Sequence, residues 1–311
     1  MVVPATVDDG RSLVVARRTG HPILAPIDRA MPLCSTPALA FSRMHADDIL
    51  YQDELLAVVD KPAGLMVHDS ALARGEQDFL ADRLRARFDR PVHLVHRLDR
   101  ATSGCLLVAF DRDTASTLGR ALMAHDVTKR YLAICRGWPA EDHFDVDHAL
   151  DGGPGKPQKK PARTAFRCLA RGEIDAPAAG FPTARYALLE CRPATGRFRQ
   201  IRRHLKHVSH HLIGDTSHGD GRRNRMFRMR GIHRMLLHAW ALEFDHPRGH
   251  RLRVAAPLDP AFRQALGLFD WPLPAVFDDA GAGNDGCDQA SGSNATASRT
   301  ADTGNAPNTC G

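Results

Sequence analysis

The chain has few cysteines, and their arrangement would neither cross-link it nor bind zinc. Its 311 residues include seven cysteines, an odd number, and none forms a Cys-x-x-Cys pair. Disulfide frameworks and zinc knuckles both depend on close, regular cysteine spacings. The sequence therefore predicts reduced thiols rather than a disulfide scaffold or a cysteine-based metal site.

The chain also lacks long apolar runs. The longest, such as residues 105–110, have the length of a strand, whereas a membrane-spanning helix needs roughly 18 to 20 apolar residues. The first residues show no basic segment followed by an apolar one, which a secretory signal would have. We therefore expect a cytoplasmic protein with no membrane partner.

Apolar residues are missing altogether from the C-terminal segment. Residues 278–311 contain no Val, Ile, Leu or aromatic residue and carry five Asp against one Arg. Such a segment cannot bury enough apolar surface to offset the entropy of ordering it. Residues 1–44 have weak periodicity and scattered prolines. We therefore expect a poorly ordered extension at 1–44, a folded domain at 45–277 and a disordered acidic tail at 278–311.

Positive charge is concentrated in one segment. The formal net charge is +6, and residues 192–234 hold twelve Arg or Lys against two Asp, together with six histidines. Such a surface favours a polyanion as partner, although basic runs are often only solvated faces. Apolar residues recur through it at helical spacing, at Phe198, Ile201, Leu205 and Val208. The basic residues are therefore predicted to form the solvent-exposed face of a helix.

The order of predicted elements favours a mixed fold. Short β-rich runs bounded by turn residues predict strands at 49–51, 55–59, 92–98, 104–110, 127–136 and 184–191. Apolar spacing predicts helices at 78–88 and 113–125, the second capped by Asp113. Strands and helices do not alternate strictly, as a doubly wound parallel sheet requires. We expect an α/β mixed (α+β) architecture with a central, largely antiparallel sheet flanked by helices.

One loop between two predicted strands places an acidic residue between arginines. Residues 96–104 read His-Arg-Leu-Asp-Arg-Ala-Thr-Ser-Gly, so Asp99 lies between Arg97 and Arg100. Nearby cations keep a carboxylate ionised, and an ionised carboxylate can act as a nucleophile. A structural ion pair in a turn is equally compatible with this spacing. A protein-kinase catalytic loop is not, because Leu98 separates the His-Arg pair from Asp99.

Two other classes of site match the sequence poorly. Lys156 follows a glycine but lacks the earlier glycine of a phosphate-binding loop, and Pro157 comes next. Four histidines include a spacing of three residues, at His204, His207, His210 and His211. Neither a cysteine nor a glutamate base accompanies them, as zinc sites usually require. We therefore expect no metal site.

Five blocks of the sequence resemble the RluA class of RNA pseudouridine synthases. The loop at 96–104 resembles the motif whose Asp is the nucleophile of that class, here Asp99. The other blocks follow in the family's order, at residues 58–68, 129–133, 195–204 and 237–247. The likeness spans about residues 48–260. It implies the pseudouridine synthase fold and a catalytic domain at 45–277 that acts on RNA with no metal and no cofactor. We expect the protein to be a monomer.

The resemblance also implies roles for individual side chains. Arg202 pairs with Asp99, and Tyr131 stacks on the uracil and helps to remove the C5 proton, although the residues alone suggest only a half-buried strand position for Tyr131. Arg97 stands in for the extruded base. Contacts to RNA phosphates are expected from Lys156, Lys159 and Lys160. Further RNA contacts are expected from Arg97, Arg100, Lys129, Arg130, Arg197, Arg199, Arg203, Lys206, Arg222 and Arg223.

Within the class, the likeness is greatest to a subgroup that modifies the uridine at tRNA position 65, in the T stem. It rests on residues 49–54, 136–138, 202–205, 213–215 and 218–220. The family usually has His where this chain has Arg199, and Pro where it has His211. A ribosomal RNA pseudouridine synthase and a non-catalytic RNA-binding protein are the alternatives. A hydrolytic N-glycosidase is a third, but that chemistry commonly needs a second carboxylate to activate water.

Overall fold

The computed structural model describes residues 5–7, 11–15, 48–69, 75, 77–178 and 181–277. In that part of the chain the strands are β1 (Ala5–Val7), β2 (Arg11–Val15), β3 (Ile49–Gln52), β4 (Leu56–Lys61), β5 (His93–Leu94), β6 (Ser103–Ala109), β7 (Thr128–Arg136), β8 (His143–Asp147), β9 (Leu150–Asp151), β10 (Lys159–Lys160), β11 (Arg163–Ala178), β12 (Phe181–Pro193), β13 (Leu237–Asp245) and β14 (Arg251–Ala255). The helices are α1 (Leu80–Phe88), α2 (Arg112–Ala124), α3 (Gln200–His207), α4 (Gly221–Met229) and α5 (Pro260–Gly267).

Twelve of the described strands form one sheet. Its main path runs β1-β2-β14-β13-β7-β12-β11-β8, and β6 joins it at β13 and carries β4 and β5, with β3 on β4. Within the described strands only the β6–β13 and β2–β14 pairings are parallel. The remaining two, β9 and β10, form a separate antiparallel ribbon. The expected mixed α/β fold with a largely antiparallel sheet is confirmed.

Helices pack on both faces of the central strands. Alternation along β7 places Leu132 on one face and Ala133 on the other. Phe227 of α4 packs with Leu132, together with residues of α5, on what we call the α5 face. Leu205 of α3 packs with Ala133 and Tyr131 on the opposite, α3 face. The basic helix α3 therefore lies on the same face of the sheet as Tyr131.

Helix α2 begins two residues earlier than a cap at Asp113 would allow. Its N-cap is Asp111, whose carboxylate accepts hydrogen bonds from the backbone N (2.8 Å) and Oγ1 (2.7 Å) of Thr114. An N-cap residue is extended and lies just outside the helix, and Asp111 has φ −139° and ψ 166°. Asp113 is already in the first turn, so its prediction as the cap was wrong.

The strand expected at 92–98 is reduced to the two residues of β5. Beyond Leu94 the chain leaves the sheet and enters the loop that carries Asp99. His96 takes part in this departure, because its Nε2 accepts the backbone N–H of Leu107 at 3.0 Å, in place of a ladder carbonyl. A side chain thus completes the hydrogen bonding of β6 where the strand partner ends.

Two strands fall within the segment expected to be poorly ordered. Strands β1 and β2 pair with each other, and β2 pairs in parallel with β14. The rest of residues 1–47, and the expected tail at 278–311, lie outside the described residues. The division at 44 and 277 therefore stays a prediction. None of the described helices is long and apolar enough to span a membrane.

Candidate active site

A buried lysine, Lys61, binds the backbone of the loop that carries Asp99. Lys61, at the end of β4, has no exposed surface, and its Nζ donates to the carbonyl oxygens of Arg100 (3.1 Å) and Pro62 (2.7 Å). The Arg100 carbonyl also accepts from Gly64 N. Leu98 is buried in the core beside α1. These contacts fix the backbone on both sides of Asp99.

The far end of the same loop is fixed by close contact between two strands. Gly104 pairs with Ala239 where β6 meets β13. A Cβ on Gly104 would lie 2.2 Å from the Ala239 carbonyl oxygen, and its φ of +103° is one that side chains disfavour. Next to it, Ser103 Oγ contacts His238 Nδ1 at 2.8 Å and accepts from Arg234 at 2.8 Å. Only a glycine at position 104 can come so close to Ala239, and this contact fixes the end of the loop against β13.

Asp99 is joined to a second carboxylate through one arginine. Arg202 Nη1, from α3, donates to Asp99 Oδ2 at 2.7 Å. The other side of the same guanidinium is bidentate to Asp215, with Nε and Nη2 at 2.6 and 2.8 Å from its two oxygens. The Asp215 side chain is fully buried, whereas that of Asp99 is 22% exposed. The three side chains therefore form a chain that runs from the core to the surface of a cleft.

The charges of Asp99, Arg202 and Asp215 stabilise one another. Burial acts to raise the pKa of Asp215, but hydrogen bonds from Arg202 and from the backbone of His218 and Ser217 hold it below its usual value. Burial likewise acts to lower the pKa of Arg202, yet its bonds to Asp215 and Asp99 raise it. Arg202 is thus a permanent cation whose orientation is set by Asp215.

Asp99 opens onto a cleft with two cavities. The larger, of about 720 Å³, is lined by Asp99, Lys129, Tyr131 and Arg202 among others. The smaller, of about 300 Å³, shares Asp99 and Arg202 but not Lys129 or Tyr131. Volumes of roughly 300–1,000 Å³ are typical of small-ligand sites. The larger cavity is the one that combines all three predicted catalytic side chains.

Tyr131 and Lys129 lie on the α3 face of β7 and enter the larger cavity together. Burial raises the pKa of Tyr131 far above its usual range, and the charge of Asp99 adds to this. The phenol therefore stays neutral, which favours stacking or hydrogen bonding over removal of a proton as phenolate. Burial also lowers the pKa of Lys129. Lys129 makes no ion pair with any described residue, so its ammonium group is available to a ligand.

The structure brings only some of the predicted RNA-binding residues to the cleft. Arg97, Lys129, Arg197 and Arg199 line the larger cavity, and Arg97, Arg100 and Arg199 the smaller. Arg203 instead donates a hydrogen bond to the carboxylate of Asp151 at 2.6 Å. Lys206 and Arg222 are exposed on α3 and α4, and Arg223 contacts the Tyr186 hydroxyl at 3.3 Å. Lys156, Lys159 and Lys160 are exposed on and beside the β9–β10 ribbon.

Arg130 lies on the opposite side of the sheet from the cleft. Strand alternation turns it to the α5 face, whereas its neighbours in β7 face the cavity. There it is 3.4 Å from Glu190, and its Nη1 donates to the Val276 carbonyl at 2.9 Å. The structure therefore does not bring Arg130 to the site with the other predicted contacts.

The four histidines of the basic segment have separate neighbours. His204 bonds Thr164 Oγ1 and the His148 carbonyl, and His207 stacks on the His148 ring at 4.0 Å. His210 Nδ1 bonds the carbonyl of Arg136, and His211 Nδ1 that of His218. Within the described residues no three His, Cys, Asp or Glu side chains form a group that could hold a metal ion.

Two residues of the site, Asp215 and Lys61, were not predicted to take part in it, although the sequence offers a reason to single out each of them. Asp215 is one of two acidic residues among the twelve cations of residues 192–234, and both are paired, Asp215 with Arg202 and Asp220 with Arg136. A lone acid in a basic run is a candidate ion-pair partner. Lys61 had a weaker signal, as a lysine at the end of an apolar strand.

Lys61 should make the stability of the protein rise with pH. Burial, followed by the charge of Arg234, lowers its pKa to about 7, although Asp99 acts the other way. The unfolded chain keeps this proton up to about pH 10.4, so between these values the unfolded state binds more protons and stability rises with pH. The unfolding free energy of wild type relative to Lys61→Met should increase by up to about 1.4 kcal/mol per pH unit.

Urea denaturation at pH 7, 8 and 9 measures this difference directly. Lys156→Met is the matched control, because Lys156 is exposed and its loss should leave the pH dependence of wild type unchanged. If the curves for wild type and Lys61→Met run parallel, Lys61 titrates in the folded protein as it does in the unfolded chain.

Comparison with known proteins gives a consistent set of relatives. A family model described as RNA pseudouridylate synthase matches residues 55–207. A protein named tRNA pseudouridine synthase C from Vibrio parahaemolyticus is 41% identical over 235 residues, which cover 72% of this chain and 95% of that protein. One of the same name from Salmonella typhimurium is also 41% identical over 235 residues, covering 72% and 90%.

Solved structures agree with these relatives. Human RNA Pseudouridylate Synthase Domain Containing 1 superposes with a TM-score of 0.54 at 26% identity, covering 69% of this chain and 85% of that one. Human RNA Pseudouridylate Synthase Domain Containing 4 gives a TM-score of 0.57 at 24% identity, covering 73% and 94%. The second is a likeness of fold alone.

Proposed function

Since the chain belongs to the RNA pseudouridylate synthase family and is an isomerase that converts uridine in RNA to pseudouridine, we propose that its substrate is tRNA and its nucleophile Asp99. The target uridine is the one at position 65 of the T stem. The observation that carries the proposal is the Asp99–Arg202–Asp215 chain at the wall of a cavity that also holds Tyr131.

A uridine within a stem must first leave the stack. Rotating it out costs a few kcal/mol, and phosphate contacts to Arg97, Arg197 and Arg199 around the cleft offset that cost. The uracil of the extruded nucleotide, still attached to its ribose, then enters the larger cavity, where the neutral ring of Tyr131 offers it a stacking surface. Lys129, two residues away on the same face of β7, lines the same cavity and forms no ion pair with any described residue.

Asp99 then forms a transient covalent bond with the nucleotide, which divides one difficult exchange into easier steps, and this bond breaks again before the product leaves, so that Asp99 is regenerated as a carboxylate. The bond between ribose C1′ and uracil N1 breaks, a bond between C1′ and C5 forms, and the C5 proton leaves as N1 gains one. Atoms balance without oxidant, reductant or water, since the product is an isomer. Arg202 keeps Asp99 anionic and oriented, because Asp215 holds the guanidinium from behind.

The buried carboxylate argues against a hydrolytic N-glycosidase. Such an enzyme needs a second carboxylate that activates water. Asp215 lies close to Asp99, but its Oδ2 accepts from Arg202, and its Oδ1 accepts from Arg202, Ser217 N and His218 N. Fully buried and with both oxygens occupied, it holds Arg202 and cannot take a proton from water.

The substrate proposal predicts where pseudouridine disappears when the gene is deleted. The support for tRNA is the set of relatives named tRNA pseudouridine synthase C. Pseudouridine mapping of tRNA and ribosomal RNA from cells with and without the gene should show loss at tRNA position 65. Release of tritium from C5-labelled uridine in unmodified tRNA by the purified protein should accompany it. Loss of pseudouridine confined to ribosomal RNA would contradict the proposed tRNA substrate but not the proposed reaction.

A further inference from the structure

The smaller cavity adjoins the larger one, and Asp99 lies in the wall that they share. Both are lined by Arg97, Leu98, Asp99, Arg199 and Arg202. Only the larger contains Tyr131, the ring on which the target uracil is proposed to stack. The reaction therefore accounts for one of the two cavities and leaves the other, of about 300 Å³, without an occupant.

The walls of the smaller cavity are suited to a nucleobase. Phe198 lies in it, with the Arg199 guanidinium 4.8 Å from the ring centroid. The Phe198 ring packs directly against the backbone of Gly153, where a Cβ would lie 2.7 Å from Phe198 Cδ1. Met66 and His68 line the cavity as well, and the Nδ1 of His68 is buried without a hydrogen bond. Aromatic rings and guanidinium planes are the surfaces on which proteins stack unpaired RNA bases.

The arginines common to both cavities are placed for the link between two nucleotides. Arg97 is exposed and borders both cavities, and its guanidinium group forms no hydrogen bond or ion pair with any described residue. Arg199 borders both as well. A phosphodiester that joins a nucleotide in one cavity to a nucleotide in the other would pass beside these two cations. Once the target base has left the stack, its neighbour has lost a stacking partner and is easier to extrude.

We propose that the smaller cavity binds the base of the nucleotide adjacent to the target uridine, so that two neighbouring nucleotides leave the stack, one on each side of Asp99. Phe198 and Arg199 supply the stacking surface, and Arg97 and Arg199 hold the phosphate between the two bases. This inference rests on the proposed function, because it takes the uridine in the larger cavity as given.

A double-mutant cycle between protein and RNA tests the contact. The RNA is full-length tRNA with tritiated uridine at position 65, intact or with an abasic ribose at position 64 or at position 66. If mapping identifies another target, the same replacements are made beside that uridine. Phe198→Ala should slow single-turnover tritium release on intact RNA about tenfold, the size expected for stacking of one base. The penalty should disappear on one of the two abasic RNAs.

Phe269→Ala is the matched control. Phe269 is also half-buried and packs on a glycine in the same way, with a Cβ on Gly172 lying 2.7 Å from Phe269 Cδ1, but it lies outside both cavities. It should leave the rate unchanged on all three RNAs. Thr216 lines only the smaller cavity and is exposed. Thr216→Trp fills the cavity from its rim, and it carries the same cycle should Phe198→Ala fail to fold.

The outcomes separate this inference from the function beneath it. A penalty that persists on both abasic RNAs, or no penalty on intact RNA from either Phe198→Ala or Thr216→Trp, overturns the second base pocket while the wild-type rate still supports the reaction. Absence of tritium release by wild type on every RNA would instead contradict the proposed function itself.

Discussion

Asp99→Asn should abolish isomerisation and leave RNA affinity almost unchanged. Asparagine keeps the size of the side chain and still accepts the hydrogen bond that Arg202 Nη1 donates at 2.7 Å, but it lacks the charge needed for attack. Loss of a nucleophile should lower the single-turnover rate about 1,000-fold or more. Affinity rests mainly on phosphate contacts, which this change does not touch. Tritium release and filter binding on the same tRNA measure the two quantities.

Asp220→Asn provides the comparison for this variant. Asp220 is 21% exposed and lies 2.6 Å from Arg136, against 22% exposure and 2.7 Å from Arg202 for Asp99. The same chemical change at an equally exposed carboxylate outside both cavities should leave the rate at the wild-type level. Equal losses of binding and activity in Asp99→Asn would mean that Asp99 shapes the loop rather than attacks the nucleotide.

The placement of Tyr131 and Arg130 follows from sequence periodicity once a strand is assigned. The predicted strand at 127–136 agrees with β7, and neighbouring residues of a strand face opposite sides of the sheet. Tyr131 and Arg130 therefore could not both reach one cleft. The family motif includes Arg130 beside Tyr131 without regard to this alternation. In the structure Arg130 lies against Glu190, outside the cleft.

The long strand β11 shows where periodicity fails. A register shift between Cys168 and Ala170 inserts one extra residue opposite β12. Such a bulge reverses which side successive residues face. The alternation of residues 163–168 is therefore not continued in residues 170–175, and the sequence alone assigned no strand there. The hydrogen bonds to β8 and β12 decide the structure of this segment.

The chain of three charged side chains depends on tertiary contacts that local patterns do not carry. Asp99 and Arg202 are 103 residues apart, and their pairing was expected only from the family resemblance. Asp215 is 13 residues from Arg202, beyond the reach of one helix turn pattern. Its approach to Arg202 depends on how the segment after α3 folds back, a property of packing rather than of spacing.

Asp215→Asn should lower the rate about 100-fold while KM for tRNA changes little, because Asp215 positions Arg202 and does not touch the substrate. Asparagine can replace one hydrogen bond to the guanidinium but leaves the charge of Arg202 compensated by Asp99 alone. Removing one partner of a buried ion pair costs roughly 3–5 kcal/mol, so urea denaturation should show a loss of that order. A freed Arg202 would draw Asp99 towards the core and away from the nucleotide.

Stability and positioning are separable for this residue. Rates are measured at a temperature where urea denaturation shows the variant fully folded, so that unfolding contributes nothing to the loss. The double variant Asp99→Asn with Asp215→Asn should be no slower than Asp99→Asn alone, because Asp215 acts only through Asp99, and residues that act as a unit are not additive. Wild-type kcat in folded Asp215→Asn would show that Asp215 serves folding only, and that Arg202 needs no second carboxylate to orient Asp99.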